Sequence, residues 1–323
     1  MPPGPAPDGY LANDGQLLSW HVESVLEGTG AGTRVCQVQP AGGLHLRVLL
    51  DRGMDVGAAW FAGQPIAWLS PSGERPRGYA DAGEGWHRGW AGGLLTTCGL
   101  RHIGPPASTG GRHGRFSDCP VEAFTVQPFE DGQGLEFRGR VRETDGLDRG
   151  LVLERSLRVF AGRGAIEVED QVRNETSSTV PAPILYHLNF GYPFLGPESR
   201  TLPGNLTTGG GFTELMGPPA AVPDEVAAHA GAGASGTASL AVSGPGLGLQ
   251  ARVEWDLAEL PRAYTWRRRA PGCYVHAVEP TNACLEQDDA RPWPTLEPGA
   301  ARTTGFTLLV EEREPNAANG ASL

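Results

Sequence analysis

The sequence contains no lysine: all 26 basic residues are arginine, set against 37 acidic residues for a formal net charge of −11. The bias toward arginine reads mainly as a coding preference, but the acidic balance excludes the usual profile of a nucleic-acid-binding domain. The densest basic run, Arg267 to Arg269, is too short for a nucleic-acid patch and reads as a solvated turn. The five scattered cysteines, Cys36, Cys98, Cys119, Cys273 and Cys284, include no CxxC pair, which suits reduced thiols better than a disulfide framework. No stretch approaches about 18 consecutive apolar residues, so no membrane contact through a spanning helix is expected. The opening "MPPGPAPDGY" has neither the basic nor the apolar region of a secretory signal, and a cytoplasmic protein is expected. HExxH and GxSxG are absent, and "GTGAG" (28–32) is followed by neither a P-loop lysine nor a ribose-binding acid. No local pair among the eight histidines has metal-ligand spacing, so no metal is expected.

What the chain has in quantity is glycine (47) and proline (28), a composition of turns, with 39% apolar residues to fill a core. Apolar and polar residues alternate along most of the length. Leu44, Leu46 and Val48 share a face, as do Leu135, Phe137 and Val141; Leu151, Leu153, Leu157 and Val159; and Ile166, Val168 and Val172. Period-two alternation describes strands with one dry face, and "VFAGRGAIE" (159–167) is a hairpin signal. Only "PDEVAAHA" (223–230) and "EWDLAELP" (254–261) are expected to give a turn or two of helix, and "GAGASGTASLAVSGPGLG" (231–248) reads as a glycine-rich loop leading into another strand. The expected architecture is all-β: a large antiparallel β-sandwich formed by one domain over residues 16–312, with loose ends at 1–15 and 313–323.

Three stretches carry residues of chemical interest. "RGWAGGLLTTCGLRHIGPP" (88–106) has paired glycines of the kind found where backbone packs closely, either at a crowded strand crossing or near a ligand. "GGRHGRFSDCP" (110–120) puts His113 in a loop. The third feature is a pair of strands. In "VPAPILYHLNFGYP" (180–193), Leu185, His187 and Asn189 share one face of an apolar run; in "GCYVHAVEPTNACLEQ" (272–287), Cys273, Val275, Ala277 and Glu279 share another, with Pro280 ending the run. A carboxyl on an apolar face is costly to bury unless it is paired or stands at a cavity wall. A histidine and a glutamate on two such strands form a candidate acid/base pair across a pocket.

Together these segments resemble the galactose-mutarotase-like superfamily of aldose 1-epimerases and hexose-6-phosphate 1-epimerases, in order and approximate spacing over roughly residues 40 to 310. The resemblance is strongest to a branch marked by "DRGMDVG" (51–57) and "AWLSPSG" (67–73). It implies a β-supersandwich of the galactose-mutarotase-like type, a cleft for a small-molecule sugar or sugar derivative, and catalysis without a metal or organic cofactor. It implies His187 as general acid and Glu279 as general base, with His113 on a sugar oxygen beside the reacting centre. Arg115 lies near the arginine of the family's His-Gly segment, Arg88 near the one preceding its paired glycines, and Asp256 is the candidate for its sugar-binding aspartate. Asn189, Arg52 and Trp90 are further candidates for lining the cleft, with Trp86 and Trp293 as stacking platforms. Arg52, Arg88, Arg101 and Arg115 favour an acidic or phosphorylated sugar. Three readings remain: a sugar 1-epimerase, another reaction on a keto-, acidic or phosphorylated sugar (isomerisation or elimination), and a non-catalytic carbohydrate-binding protein. No oligomeric state is implied.

Overall fold

The computed structural model describes residues 10–75, 86–106, 111–209, 214–231, 233, 235–285 and 292–313. Most of the two expected loose ends, residues 1–9 and 314–323, lies outside them. In chain order the strands are β1 (Leu18–Ser24), β2 (Arg34–Pro40), β3 (Leu44–Leu49), β4 (Asp55–Phe61), β5 (Gln64–Pro65), β6 (Leu95–Gly99), β7 (Val121–Pro128), β8 (Gly134–Glu143), β9 (Leu151–Phe160) and β10 (Ala165–Asn174). They continue as β11 (Val180–Pro181), β12 (Ile184–Gly191), β13 (Thr201–Leu202), β14 (Leu206–Thr208), β15 (Glu225–Gly231), β16 (Thr237–Gly244), β17 (Leu249–Asp256), β18 (Arg262–Ala270), β19 (Cys273–Thr281), β20 (Thr295–Leu296) and β21 (Ala301–Glu312). Among the described residues the α-helix is a single turn, α1 (Trp86–Gly89).

These strands make two large antiparallel sheets. One runs β1-β2-β3-β4-β6-β12-β19-β18-β15-β14, with β5 beside β4; the other runs β13-β16-β17-β21-β10-β9-β8-β7. The alternation seen in the sequence settles which face of each strand is dry. Leu151, Leu153, Leu157 and Val159 of β9 and Ile166, Val168 and Val172 of β10 enter one core with Val38, Leu46, Val56 and Phe190 of the facing sheet. Burying an aliphatic or aromatic side chain contributes about 1.5–3 kcal/mol, so a one-residue slip in any of these strands would turn its whole dry face outward. The signalled hairpin joins β9 to β10 through a turn at 161–164.

Four local expectations are corrected. Arg267–Arg269 is part of β18, paired with β19 and with Arg267 buried, and not a solvated turn. Residues 225–231 form β15, held between β14 and β18, and not a helical turn. The segment 254–261 completes β17 and then turns, Ala258 N–H donating to the Asp256 carboxylate. In both, ladder hydrogen bonds satisfy the backbone more completely than an isolated turn of helix would. Pro280 does not end its strand; β19 continues to Thr281, which pairs with both Leu185 and Arg262.

A buried polar network joins the sheets. Arg155 of β9 sits on the same inward face as Leu153 and Leu157. It grips Asp170 of β10 through Nε (2.8 Å) and Nη2 (2.6 Å), then crosses the core to Asp55 Oδ1 of β4 (3.1 Å) and Thr97 Oγ1 of β6 (2.8 Å). Tyr186 of β12 donates its hydroxyl to Asp170 Oδ2 at 2.9 Å. The network therefore anchors, from behind, the adjacent strands β4, β6 and β12, the last of which carries His187 of the site described next.

Candidate active site

Strand β12 is buried along its whole length because both of its faces are covered. Ile184, Tyr186, Leu188 and Phe190 point into the core between the sheets. On the opposite face, Leu185 belongs to a second apolar cluster with Cys98 of β6 and with Trp86, Trp90, Ile103, Ala283 and Trp293 of segments that fold over the outer surface of the sheet. His187 and Asn189 share that outer face.

Strand register builds the site. Leu185 lies opposite Thr281 and Leu188 opposite Val278 on β19, which sets His187 opposite Glu279. On its other side His187 faces Thr96 of β6, and Glu279 faces Tyr264 of β18. His187 Nε2 and Glu279 Oε1 approach to 3.4 Å, with the two residues only 4% and 2% exposed. They form part of the wall of a cavity of about 460 Å³, also lined by Trp86, Trp90, Arg112, His113, Asp224 and Trp266. That volume lies within the usual range for small-molecule sites.

Hydrogen bonds assign the tautomers. Asn189 Nδ2 donates to Gly93 O (2.9 Å) and to His187 O (3.0 Å), so its Oδ1 is the atom that meets His187 Nδ1 at 2.6 Å. Nδ1 therefore carries the hydrogen, and Nε2 turns its lone pair toward Glu279. In His113 the opposite holds: Nδ1 accepts the Gly104 N–H at 3.3 Å, leaving Nε2–H as donor. The His113 backbone is left-handed (φ 57°), and the next residue must be glycine. A Cβ on Gly114 would lie 2.3 Å from Gly99 O, so the loop rests directly on the end of β6. The His113 and His187 rings stand 5.9 Å apart, edge to face.

Burial sets the protonation of this group. With only the Asn189 contact to favour its charged form, the His187 imidazole is pushed down to about 4 by desolvation. Desolvation raises the Glu279 carboxyl to about 8. His113 is held well below its ordinary value, first by burial and then by the neighbouring His187 and Arg112. At neutral pH these shifts leave one titratable proton between Nε2 and the carboxyl, placed on Glu279 and facing the imidazole lone pair.

The walls are aromatic. Trp90 is fixed by donating Nε1–H to Thr96 Oγ1 (3.1 Å), and its ring centroid lies 5.3 Å from that of His187, 5.0 Å from Trp86 and 5.8 Å from Trp266. Asp224 is held by Trp266 Nε1 and by Arg268.

Of the residues singled out in the sequence, His187, Glu279, His113, Trp90 and Trp86 come together around this cavity. Asn189 is fully buried behind His187 instead of lining the wall. Arg52 is buried and donates to Arg75 O. Arg88 is an exposed residue of α1 whose carbonyl accepts from Ser72 and Arg75. Arg115 lies in a separate crevice with Arg101, Cys119 and Glu143, because the left-handed turn at His113 and Gly114 sends consecutive side chains apart. Arg101 pairs with Asp148. Trp293 donates to Cys284 O behind the wall, and Asp256 stands on the outer face of the other sheet. The paired glycines mark a crowded crossing: a Cβ on Gly92 would strike Trp68, and one on Gly93 would lie 2.6 Å from Val56 O.

Arg112, Asp224 and Trp266 are cavity residues that sequence reasoning missed. Arg112 adjoins the singled-out His113, so a local signal existed. Trp266 and Asp224 depend on the β15-β18-β19 pairing, which nothing local announces. Among the described residues no group of three or more His, Cys, Asp or Glu is arranged to hold a metal ion.

A family model described as a domain of unknown function (DUF4432) matches residues 30–310. No curated protein matches the chain. Solved structures share its fold. A candidate aldose 1-epimerase from Klebsiella pneumoniae superposes with a TM-score of 0.80 at 20% identity, covering 91% of this chain and 84% of that one. A galactose mutarotase-like protein from Clostridium acetobutylicum gives 0.66 at 13% identity, over 92% and 99% of the two chains. A candidate mutarotase from Salmonella typhimurium gives 0.63 at 12%, over 92% and 95%. The two-sheet architecture is therefore the galactose-mutarotase-like fold.

Proposed function

The chain belongs to the DUF4432 family, and we propose that it is a sugar 1-epimerase, interconverting the two anomers of a cyclic sugar through His187 and Glu279. The observation that carries this reading is the 3.4 Å approach of His187 Nε2 to Glu279 Oε1 at the wall of a monosaccharide-sized cavity. The names of the similar solved structures agree with it.

Anomer exchange requires opening a hemiacetal. The anomeric hydroxyl must lose a proton while the ring oxygen gains one as its bond to C1 breaks. The two oxygens share C1, so two proton-transfer groups standing side by side on adjacent strands, and not across a pocket as the sequence suggested, can serve both. The one proton on the pair is enough. Shifted from Glu279 to His187 Nε2, it leaves a carboxylate to take the hydroxyl proton and an imidazolium to protonate the ring oxygen. The electron pair of the C1–O bond goes to that oxygen and C1=O forms. After rotation about C1–C2 the hydroxyl adds to the other face of the carbonyl, returns its proton to His187, and the carbonyl oxygen takes back the proton held by Glu279. Protons and electrons balance with no other reagent. His113 donates Nε2–H to a sugar oxygen beside the reacting centre, and Trp86 and Trp90 pack on the C–H face of the ring.

Magnetisation-transfer NMR on equilibrated neutral, acidic and phosphorylated sugars tests the reading. We expect enzyme-dependent exchange between anomers of at least one sugar. His187→Ala and Glu279→Gln should each lower it by about 10²–10⁴-fold. New product resonances would point to isomerisation or elimination, and binding without exchange to a carbohydrate-binding protein; either result would overturn the proposal.

A further inference from the structure

Arg112 is a half-buried cation on the cavity wall. Its Nε is buried and has no hydrogen-bond partner among the described residues. The other charged groups of the wall do not answer it. Asp224 is occupied on one oxygen by Trp266 Nε1 (3.1 Å) and on the other by Arg268 (3.1 Å), while the Glu279 carboxyl lies against His187. The surroundings are otherwise tryptophan, histidine, proline, glycine, valine and leucine. A guanidinium among aromatic walls, with a buried donor left unmet, is costly unless something supplies an acceptor. The planar fork of arginine matches a carboxylate or a phosphate.

We infer that Arg112 binds an anionic group on the substrate, so that the natural ligand of this cavity is a sugar bearing a carboxylate or a phosphate. The inference rests on the epimerase reading for the identity of the ligand as a sugar, but its geometry is independent of the reaction. Arg112 directly precedes His113. Both line the cavity that His187 and Glu279 also line. A carboxylate or a phosphate on the exocyclic carbon of a sugar would supply the acceptor the guanidinium lacks while C1 stays at His187 and Glu279. The arginines that the sequence first suggested for this purpose, Arg52, Arg88, Arg101 and Arg115, lie outside the cavity.

The test compares a neutral hexose, the matched hexuronic acid and the matched hexose 6-phosphate in wild type, Arg112→Met and Arg112→Lys. Anomer exchange is followed by NMR and binding by the fluorescence of the cavity tryptophans. We expect one of the anionic sugars to be preferred over the neutral one by about ten- to hundredfold, the yield of one or two charge-assisted hydrogen bonds. The uronic acid and the phosphate arms tell which oxyanion it is. Arg112→Met should bring the preference down to about one, and Arg112→Lys should retain part of it. Equal use of neutral and anionic sugars by wild type, a preference that survives Arg112→Met, or equal loss for all three sugars would overturn the inference. Selective binding of an anionic sugar that is lost in Arg112→Met, without anomer exchange, would refute the epimerase reading and leave this inference standing. Exchange of neutral and anionic sugars at equal efficiency would do the reverse.

Discussion

At His187 a single amide decides which nitrogen carries the hydrogen. Asn189 is locked by two carbonyls, Gly93 O and His187 O, so it can only accept from Nδ1, and Nε2 is left to exchange a proton with Glu279. Asn189 thus acts as a positioning residue, although the sequence pattern alone suggested a place on the cavity wall. Asn189→Ala would leave Nδ1–H without an acceptor. We expect it to slow anomer exchange by about tenfold, well short of the loss from removing His187 itself. Asn189→Asp places a carboxylate beside Nδ1, which favours imidazolium. The acid limb of the pH–rate profile should then move upward from about 4, a displacement that a purely packing role for residue 189 would not produce.

At the scale of strands, the row Thr96, His187, Glu279 and Tyr264 exists only because β6, β12, β19 and β18 keep register. Arg155 secures β6 and, through Asp170 and Tyr186, β12 from behind. Its presence was legible. Leu151, Leu153, Leu157 and Val159 alternate on one face of β9, and residue 155 on that face is a charge that burial would penalise. So is Asp170 between Val168 and Val172. Which charges meet which, and that Asp55 joins them, could not be read, because partners across a sandwich have no fixed sequence spacing. Arg155→Met leaves Asp170 and Asp55 buried without their cation. We expect a loss of about 3–5 kcal/mol in denaturant unfolding, and a smaller loss when Asp170→Asn accompanies it.

For the whole molecule, period-two patterning made the sandwich, its hairpins and the facing of its dry sides readable, since burial acts on every second residue. It also exposed His187 and Glu279 as polar residues on dry faces. Patterning failed for β15, where Val226 is exposed and the small alanines give no clear period. It failed for the loops over the outer face, where Arg112 and Arg115 lie three residues apart yet enter different cavities. Keeping Glu279 uncharged also bears on global stability. Its folded value of about 8 lies above the ordinary 4.5, so the unfolded chain releases a proton that the folded one retains. The contribution is fully present below pH 4.5 and is lost as pH rises toward 8. His187 acts in the other direction: its contribution is present above its ordinary value and is lost as pH falls toward 4. Glu279→Gln removes the first dependence. In thermal unfolding, the variant should gain on wild type progressively between pH 4.5 and 8, by on the order of a few kcal/mol at the upper end. A constant difference across that range would show that the carboxyl is not held neutral by the fold.

The central claim is that one proton, shared by His187 and Glu279, opens and recloses a sugar ring. It is tested most directly by the pH dependence of anomer exchange on the best substrate. Below about 4 His187 takes a second proton and the pair has no base; above about 8 Glu279 loses the only proton and the pair has no acid. We predict a bell with limbs near those values, its basic limb abolished in Glu279→Gln along with most of the rate. A profile flat across both limbs, or one that persists unchanged when His187 and Glu279 are replaced, would contradict the account.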